Sequence, residues 1–211
     1  MIKRLILLCL IPAMLVSCKS APVDQSGPVM TVTEQEEKAM ERFKTLLDET
    51  RELDRSDAMP LILEGYREVM DKYPDSFLAE ESYFRMMTIA LHEVYPPKEE
   101  EAENLYNEYF RRYKHPQMGM AMNGELARYY YKEMKWEKLA KFTTPFMREY
   151  VKSGKYGDTV FLFLYTEAKF HLKDYDEARK GYQIIKRNSA GTRDADIAEQ
   201  RLEYIRSIQG K

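Results

Sequence analysis

Three methionines and a histidine lie close together in the segment His115-Pro116-Gln117-Met118-Gly119-Met120-Ala121-Met122. Thioether sulfur is a soft ligand that favours Cu(I), so this segment is a candidate for copper handling. The alternative is that these methionines fill gaps between helices, as the thirteen methionines and sixteen tyrosines of the chain suggest. We favour packing and predict no metal site, which leaves a copper or small-ligand carrier as a weaker alternative function.

The residues needed for enzymatic chemistry are scattered. The histidines His92, His115 and His171 are far apart in sequence, and none forms a spaced pair that would place two metal ligands on one helix face. The sequence contains no glycine-rich phosphate loop and no serine nucleophile motif. Acidic runs such as Glu99-Glu100-Glu101 are typical of helix starts, where they interact favourably with the helix dipole. We therefore predict no catalytic residue and no cofactor. A cell-wall enzyme is a less favoured alternative function.

The N-terminus has the pattern of an export signal over residues 1–17. Two basic residues precede an apolar run from Leu5 to Val16, which is shorter than the about 20 residues that span a membrane and fits the apolar region of a signal peptide. Leu15-Val16-Ser17-Cys18 resembles the lipobox of bacterial lipoproteins. The resemblance implies that the Cys18 thiol carries diacylglycerol, that cleavage occurs before it, and that the new amine is acylated.

The predicted lipidation has consequences for thiols, charge and location. Cys9 would be removed with the signal, so no free thiol and no disulfide would remain. Loss of two basic residues would change the formal charge from −2 to −4, which argues against a nucleic-acid partner. Lys19 stands where an aspartate would retain an enteric lipoprotein in the inner membrane, so the resemblance implies the outer membrane, facing the periplasm. Residues 18–33 read as the lipidated cysteine and a flexible tether.

Cap and turn residues divide the remaining chain into helical segments. Thr33-Glu34-Gln35-Glu36 has the Thr-x-x-Glu form of a capping box. Tyr73-Pro74-Asp75-Ser76, Lys152-Ser153-Gly154 and Asn188-Ser189-Ala190-Gly191 are typical breakers. Apolar residues recur at helical spacing, and no convincing alternating strand occurs. We predict an all-α domain over residues 34–211, with helices near 34–54, 57–73, 76–94, 97–113, 118–133, 135–151, 157–172, 175–188 and 193–209.

An apolar pattern repeats along this domain with spacings of 40, 37 and 39 residues. Each copy has apolar residues at its first, fifth and eighth positions, except that one of these positions holds the polar residue Thr143. Aromatic-rich helix ends followed by short polar turns precede the last two copies, at Tyr129–Trp136 and Lys169–Tyr175. The four copies are Ile62, Tyr66 and Val69; Ala102, Tyr106 and Tyr109; Leu139, Thr143 and Phe146; and Ala178, Tyr182 and Ile185.

This pattern resembles the tetratricopeptide repeat family, most closely at Asp174–Tyr182 and at the proline Pro74. The resemblance implies a right-handed solenoid of antiparallel helix pairs, with about four pairs and a C-terminal capping helix. Such an array is stable only when neighbouring pairs stack. The sequence departs from the family in its longer period, and in Glu93 and Thr166, where tighter packing residues are usual.

In the repeat family, the first helix of each pair lines a binding groove. If Leu126, Ala127 and Tyr130 face the core, the groove residues are Arg128, Tyr131, Lys132, Phe163, Glu167 and His171.

The expected function is a membrane-anchored scaffold that binds a protein or peptide partner in the cell envelope. Together with the lipobox, the segment Tyr66–Ser76 is similar to the outer-membrane lipoprotein component of the β-barrel assembly machinery. Its Tyr-Pro-Asp-Ser phrase also occurs in pilus-assembly lipoproteins. Barrel assembly or pilus assembly is therefore the named alternative.

Overall fold

A computed structural model of the protein describes residues 30–153 and 159–210. The predicted signal of residues 1–17, the predicted lipidation site Cys18 and most of the predicted tether 18–33 lie outside these residues, as does Gly154. The described residues form nine α-helices and no strand, which confirms the all-α prediction. No helix among them has the length and apolar character needed to cross a membrane. The helices are α1 Val32–Thr50, α2 Arg55–Lys72, α3 Phe77–His92, α4 Glu99–Arg112, α5 Gly119–Lys132, α6 Trp136–Ser153, α7 Thr159–His171, α8 Tyr175–Asn188 and α9 Arg193–Gln209.

The start of α1 differs from the predicted one. The capping box is formed by Thr31 and Glu34, because the Thr31 side chain accepts a hydrogen bond from the Glu34 amide at 3.2 Å and the Glu34 carboxylate accepts one from the Thr31 amide at 2.7 Å. The predicted partner of Thr33, Glu36, instead accepts a hydrogen bond from the Phe77 amide at 2.5 Å. Because Glu36 bonds to the first turn of α3, the capping box forms two residues earlier than predicted.

Helices α3 and α9 begin close to their predicted starts because their N-terminal caps are local. The Ser76 side chain accepts a hydrogen bond from the Ala79 amide at 3.1 Å and starts α3. The Thr192 side chain does the same for the Ala195 amide at 3.4 Å, and α9 has its predicted bounds.

Two turns share an uncommon backbone conformation. Met134 between α5 and α6 has φ of 53°, and Lys173 between α7 and α8 has φ of 62°. In both turns the following amide donates to a carbonyl five residues back, from Lys135 to Tyr130 and from Asp174 to Lys169. This is the bonding by which a left-handed residue ends a helix and satisfies its last carbonyls.

The helices pack in chain order and also in a row of odd-numbered helices. Each helix packs on the next, except that α4 and α5 do not form a closely packed pair among the described residues. In addition, α1 contacts α3, α3 contacts α5, and α5 contacts α7. The same part of the chain shows no close packing between even-numbered helices. Helices α1, α3, α5 and α7 therefore form a continuous row, which positions the site described below.

The repeating positions lie on α2, α4, α6 and α8, and all are buried or half-buried. The polar exception, Thr143, is fully buried, and its hydroxyl donates to the Leu139 carbonyl at 2.7 Å. Thr166 bonds the Leu162 carbonyl in the same way and packs against Gly181, where an added Cβ would lie 2.1 Å from the threonine oxygen. Buried threonines are thus tolerated because their hydroxyls bond to the preceding turn.

Candidate partner-binding site

The predicted groove residues lie on α5 and α7, two neighbours in the odd-numbered row. Leu126, Ala127 and Tyr130 are buried, as the helical phase predicts. On the same helix Arg128 and Lys132 are exposed. The phase of α5 was therefore predicted correctly, and its outer face carries two cations.

An aromatic surface joins the ends of α5 and α7. The Tyr131 ring lies 5.7 Å from the Trp136 ring and 6.3 Å from the Phe163 ring. The Trp136 and His171 rings stack at 4.0 Å with an interplanar angle of 7°. The structure thus brings Tyr131, Phe163 and His171 into one aromatic surface, and Trp136 connects them. Burial lowers the pKa of His171, although the Glu167 carboxylate opposes that shift, so the neutral ring is favoured at neutral pH.

Glu167 lies beneath this surface. Its side chain is 1% exposed, and its carboxylate accepts hydrogen bonds from the Tyr182 hydroxyl and from two nitrogens of Arg201, at 3.3 and 3.2 Å. His171 Nε2 lies 3.7 Å from the same carboxylate. Buried charges need partners, and Tyr182 and Arg201 supply them. Glu167 therefore holds other side chains of the site in place and presents little surface to a partner.

A cavity of about 450 Å³ opens between α7 and α9 beside these residues. The Arg201 guanidinium lies 4.3 Å from the centre of the Phe170 ring, and Phe170 also contacts the Tyr204 ring at 5.5 Å. Tyr204 is half exposed. The cavity therefore combines aromatic walls with a guanidinium that is fixed on two sides. Its lining residues are Tyr131, Glu167, Phe170, Ile197, Gln200, Arg201 and Tyr204.

No family model, no curated protein and no solved structure matches this chain. The chemistry of the cavity therefore has to be inferred from its own residues.

Arg128 belongs to a separate polar cluster between α3 and α5. The Glu125 carboxylate is 2.7 Å from both Arg128 Nη2 and His92 Nε2. Burial opposes ionisation of Glu125, but hydrogen bonds from Arg128 and His92 hold its pKa below the usual range. Lys132 forms no ion pair among the described residues. Of the predicted groove residues, Arg128 and Lys132 are thus exposed cations on α5.

The candidate copper ligands differ widely in exposure. Met120 is 74% exposed, Met122 is fully buried, and Met118 packs against the main core. Within residues 30–153 and 159–210, no group of three or more histidine, cysteine, aspartate or glutamate side chains is arranged to hold a metal ion. The methionine segment joins α4 to α5, where the Glu80 carboxylate accepts a hydrogen bond from the Gln117 amide at 2.7 Å. Its position is explained by packing and by this bond.

Four residues of the site, Trp136, Phe170, Arg201 and Tyr204, were not predicted from the sequence. A signal was present in α9, because Ile197, Arg201 and Tyr204 are spaced as one helix face. The sequence predicted only that α9 is a capping helix, whereas Arg201 is bonded to Glu167 of α7.

Proposed function

We propose that this protein is a lipoprotein, anchored to the outer membrane through Cys18, that binds a protein or peptide partner in the cell envelope. The partner binds the surface formed by α5, α7 and α9. The protein acts as a scaffold and catalyses no reaction.

Binding is supported above all by the cavity between α7 and α9. Its walls are aromatic, and Arg201 is held in a fixed orientation by Glu167 and Phe170. Tyrosine, tryptophan and arginine are enriched among the residues that dominate binding energy at protein interfaces. A guanidinium that is already positioned loses little conformational freedom on binding. The surface therefore suits an interaction with a peptide.

We further propose that the domain is a solenoid of antiparallel, tetratricopeptide-like helix pairs. The proposal is supported by the four copies of the apolar pattern, one on each even-numbered helix. It is also supported by the row of odd-numbered helices. In such an array the first helix of each pair faces the ligand, which would make α5 and α7 part of the groove.

The Tyr-Pro-Asp-Ser phrase has a structural role in this chain. The Ser76 hydroxyl caps α3, the Asp75 amide donates to the Gln35 side chain at 2.9 Å, and the Pro74 carbonyl accepts from the Tyr113 hydroxyl at 2.9 Å. These contacts stabilise the turn between α2 and α3 whatever the protein binds. The phrase therefore does not favour barrel assembly or pilus assembly over other envelope partners, and both stay alternatives.

The partner-binding proposal is tested by photo-crosslinking in the native cells. A photoreactive phenylalanine analogue replaces Tyr204 beside the cavity or, as a matched control, Tyr95, which is 95% exposed in the turn between α3 and α4. We expect a reproducible protein adduct from position 204, identified by mass spectrometry, and none from position 95. Identical adducts at both positions, or no protein adduct at all, would contradict the proposal.

The anchor is tested separately with Cys18→Ala. We expect this variant to keep the circular dichroism spectrum and melting temperature of the parent, because Cys18 precedes the helical domain. It should lose incorporation of a labelled fatty acid, leave the membrane fraction and lose the position-204 adduct, since anchoring raises the local concentration near a partner. A soluble variant that retains full adduct formation would show that the anchor is not needed for binding.

A further inference from the structure

A second cavity, also of about 450 Å³, lies between α4 and α6 with α5 as its floor. It shares no lining residue with the cavity between α7 and α9, so the two cavities are separate. Its apolar lining consists of Tyr106 on α4, Leu126 and Tyr130 on α5, and Phe142, Pro145 and Phe146 on α6. We call this cavity the α4–α6 cleft.

The polar atoms of the cleft's tyrosines are already bonded. The Tyr106 hydroxyl donates to the Asn123 side chain, and the Tyr130 hydroxyl donates to the Glu103 carboxylate, both at 2.6 Å. The two rings contact Phe142 at 5.5 and 5.9 Å. The tyrosines therefore offer a ligand their ring faces and no free hydroxyl donor. A surface of this kind favours apolar side chains over sugars or other polar ligands.

The rim of the cleft is positively charged. Glu103 and Lys138 neutralise each other at 2.6 Å. Lys141, which also lines the cleft, is exposed and has no ion-pair partner among the described residues. Arg111 follows Asn107 of the lining by one helical turn, and Arg148 follows Lys141 by two turns. Both arginines are exposed and form no ion pair within the described part of the chain, although most other cations there do.

We propose that the α4–α6 cleft binds an amphipathic helix of a protein partner, with its apolar stripe in the cleft and acidic side chains against Lys141, Arg111 and Arg148. Helix binding in an apolar groove uses apolar residues at spacings of three and four along the ligand. The cleft has an apolar floor between two helices, so it can accept the apolar stripe of such a ligand. The cations of the rim favour acidic side chains on both sides of that stripe.

The shape of the cleft argues against a lipid surface as its occupant. The lining aromatic residues are recessed, and none is among the large hydrophobic side chains that stand exposed. A membrane-binding surface inserts protruding apolar groups into the headgroup region. A helix can enter a concave cleft, whereas a flat bilayer cannot.

The probe is a designed fluorescent helix with leucines on one face and glutamates on both flanks. Two matched peptides serve as controls: one has lysines in place of the glutamates, and the other has the same composition in scrambled order. Binding to the purified full chain is measured by fluorescence anisotropy at low and high salt. We expect the acidic helix to bind at least about tenfold more tightly than either control, and more weakly at high salt.

Variants of the protein then locate the binding site. Lys141→Glu combined with Arg111→Glu should weaken binding of the acidic helix at least about tenfold. The charge-matched control combines Lys38→Glu with Lys44→Glu on α1 and should leave the affinity unchanged. Asn107→Trp, an exposed position of the lining, should block the cleft without disturbing the core, as circular dichroism will show.

Three results would overturn the proposal. The first is equal binding of the scrambled peptide, and the second is unchanged affinity for the acidic helix in both cleft variants. The third is failure of the acidic helix to bind, together with binding of vesicles of phosphatidylethanolamine and phosphatidylglycerol that the Lys141 and Arg111 variant abolishes. The last result would assign the cleft to a lipid surface. None depends on Tyr204, so the outcome is independent of the function proposed above.

Discussion

Replacing Glu167 by alanine is expected to destabilise the protein by about 3 kcal/mol. The carboxylate is buried and accepts hydrogen bonds from Tyr182 and Arg201. Because the Tyr182 side chain is fully buried, loss of its acceptor costs about 1–3 kcal/mol. The Arg201 side chain is 34% exposed, so water replaces part of its ion pair and the added cost is about 1 kcal/mol.

Two further variants separate these contributions. Glu167→Gln keeps an oxygen that can accept the Tyr182 hydroxyl, so we expect about half the loss seen with alanine. Tyr182→Phe removes the donor itself. When Glu167→Ala is combined with Tyr182→Phe, no buried hydroxyl is left without an acceptor. The double variant should therefore be more stable than the sum of the single losses predicts, by about 1 kcal/mol.

The assay is equilibrium unfolding in urea followed by tryptophan fluorescence. Trp136 is the single tryptophan of the chain, and its ring stacks on His171, which lies 3.7 Å from the Glu167 carboxylate. Its emission therefore reports on this part of the molecule. A loss below about 1 kcal/mol for Glu167→Ala, or strict additivity in the double variant, would show that the buried hydroxyl does not depend on Glu167.

Further predictions concern backbone, packing and pH. Lys173→Gly should stabilise the protein by about 0.5–1 kcal/mol in thermal unfolding, because glycine adopts positive φ without the side-chain penalty; unchanged or lower stability would contradict this. Gly181→Ala should cost about 1–3 kcal/mol in urea unfolding, since its Cβ would overlap Thr166; a neutral effect would mean that α7 and α8 can separate freely. Burial raises the pKa values of Tyr83 and Tyr106 to about 12, above the about 10 of an exposed tyrosine. The stability they contribute should be complete below about pH 10 and lost as pH rises through about 12, measured as the free energy of unfolding; no loss in that range would contradict the shifts.

The helices could be predicted well because their signals are local. The cap of α9 and the breaker before it, Asn188–Gly191, are next to each other in the sequence and determine where that helix begins. The start of α1 could not be predicted, because Thr31 and Thr33 each have a glutamate three residues later. The choice between them depends on Glu36 binding the Phe77 amide, a contact between residues 41 positions apart.

The site was only partly predictable for a related reason. Helical phase identified the exposed residues of α5, but the same phase applied to α7 gave Glu167 an outward position, whereas its side chain is buried. Its burial depends on Tyr182 and Arg201, which come from two other helices. Arg201 was missed for the same reason, since its position on one face of α9 does not show that this face bonds to α7. Single-sequence patterns describe faces of helices, whereas pairing between faces is a property of the packed structure.

The left-handed turns at Met134 and Lys173 lie 39 residues apart, the same distance that separates the repeating positions Leu139 and Ala178. The same turn conformation therefore occurs twice in the chain, with matching backbone hydrogen bonds around it. A duplicated segment of residues 135–173, inserted after Lys173, would begin and end next to a turn of this conformation. Because this segment contains α6 and α7, the insertion would add one helix pair without a newly designed connection.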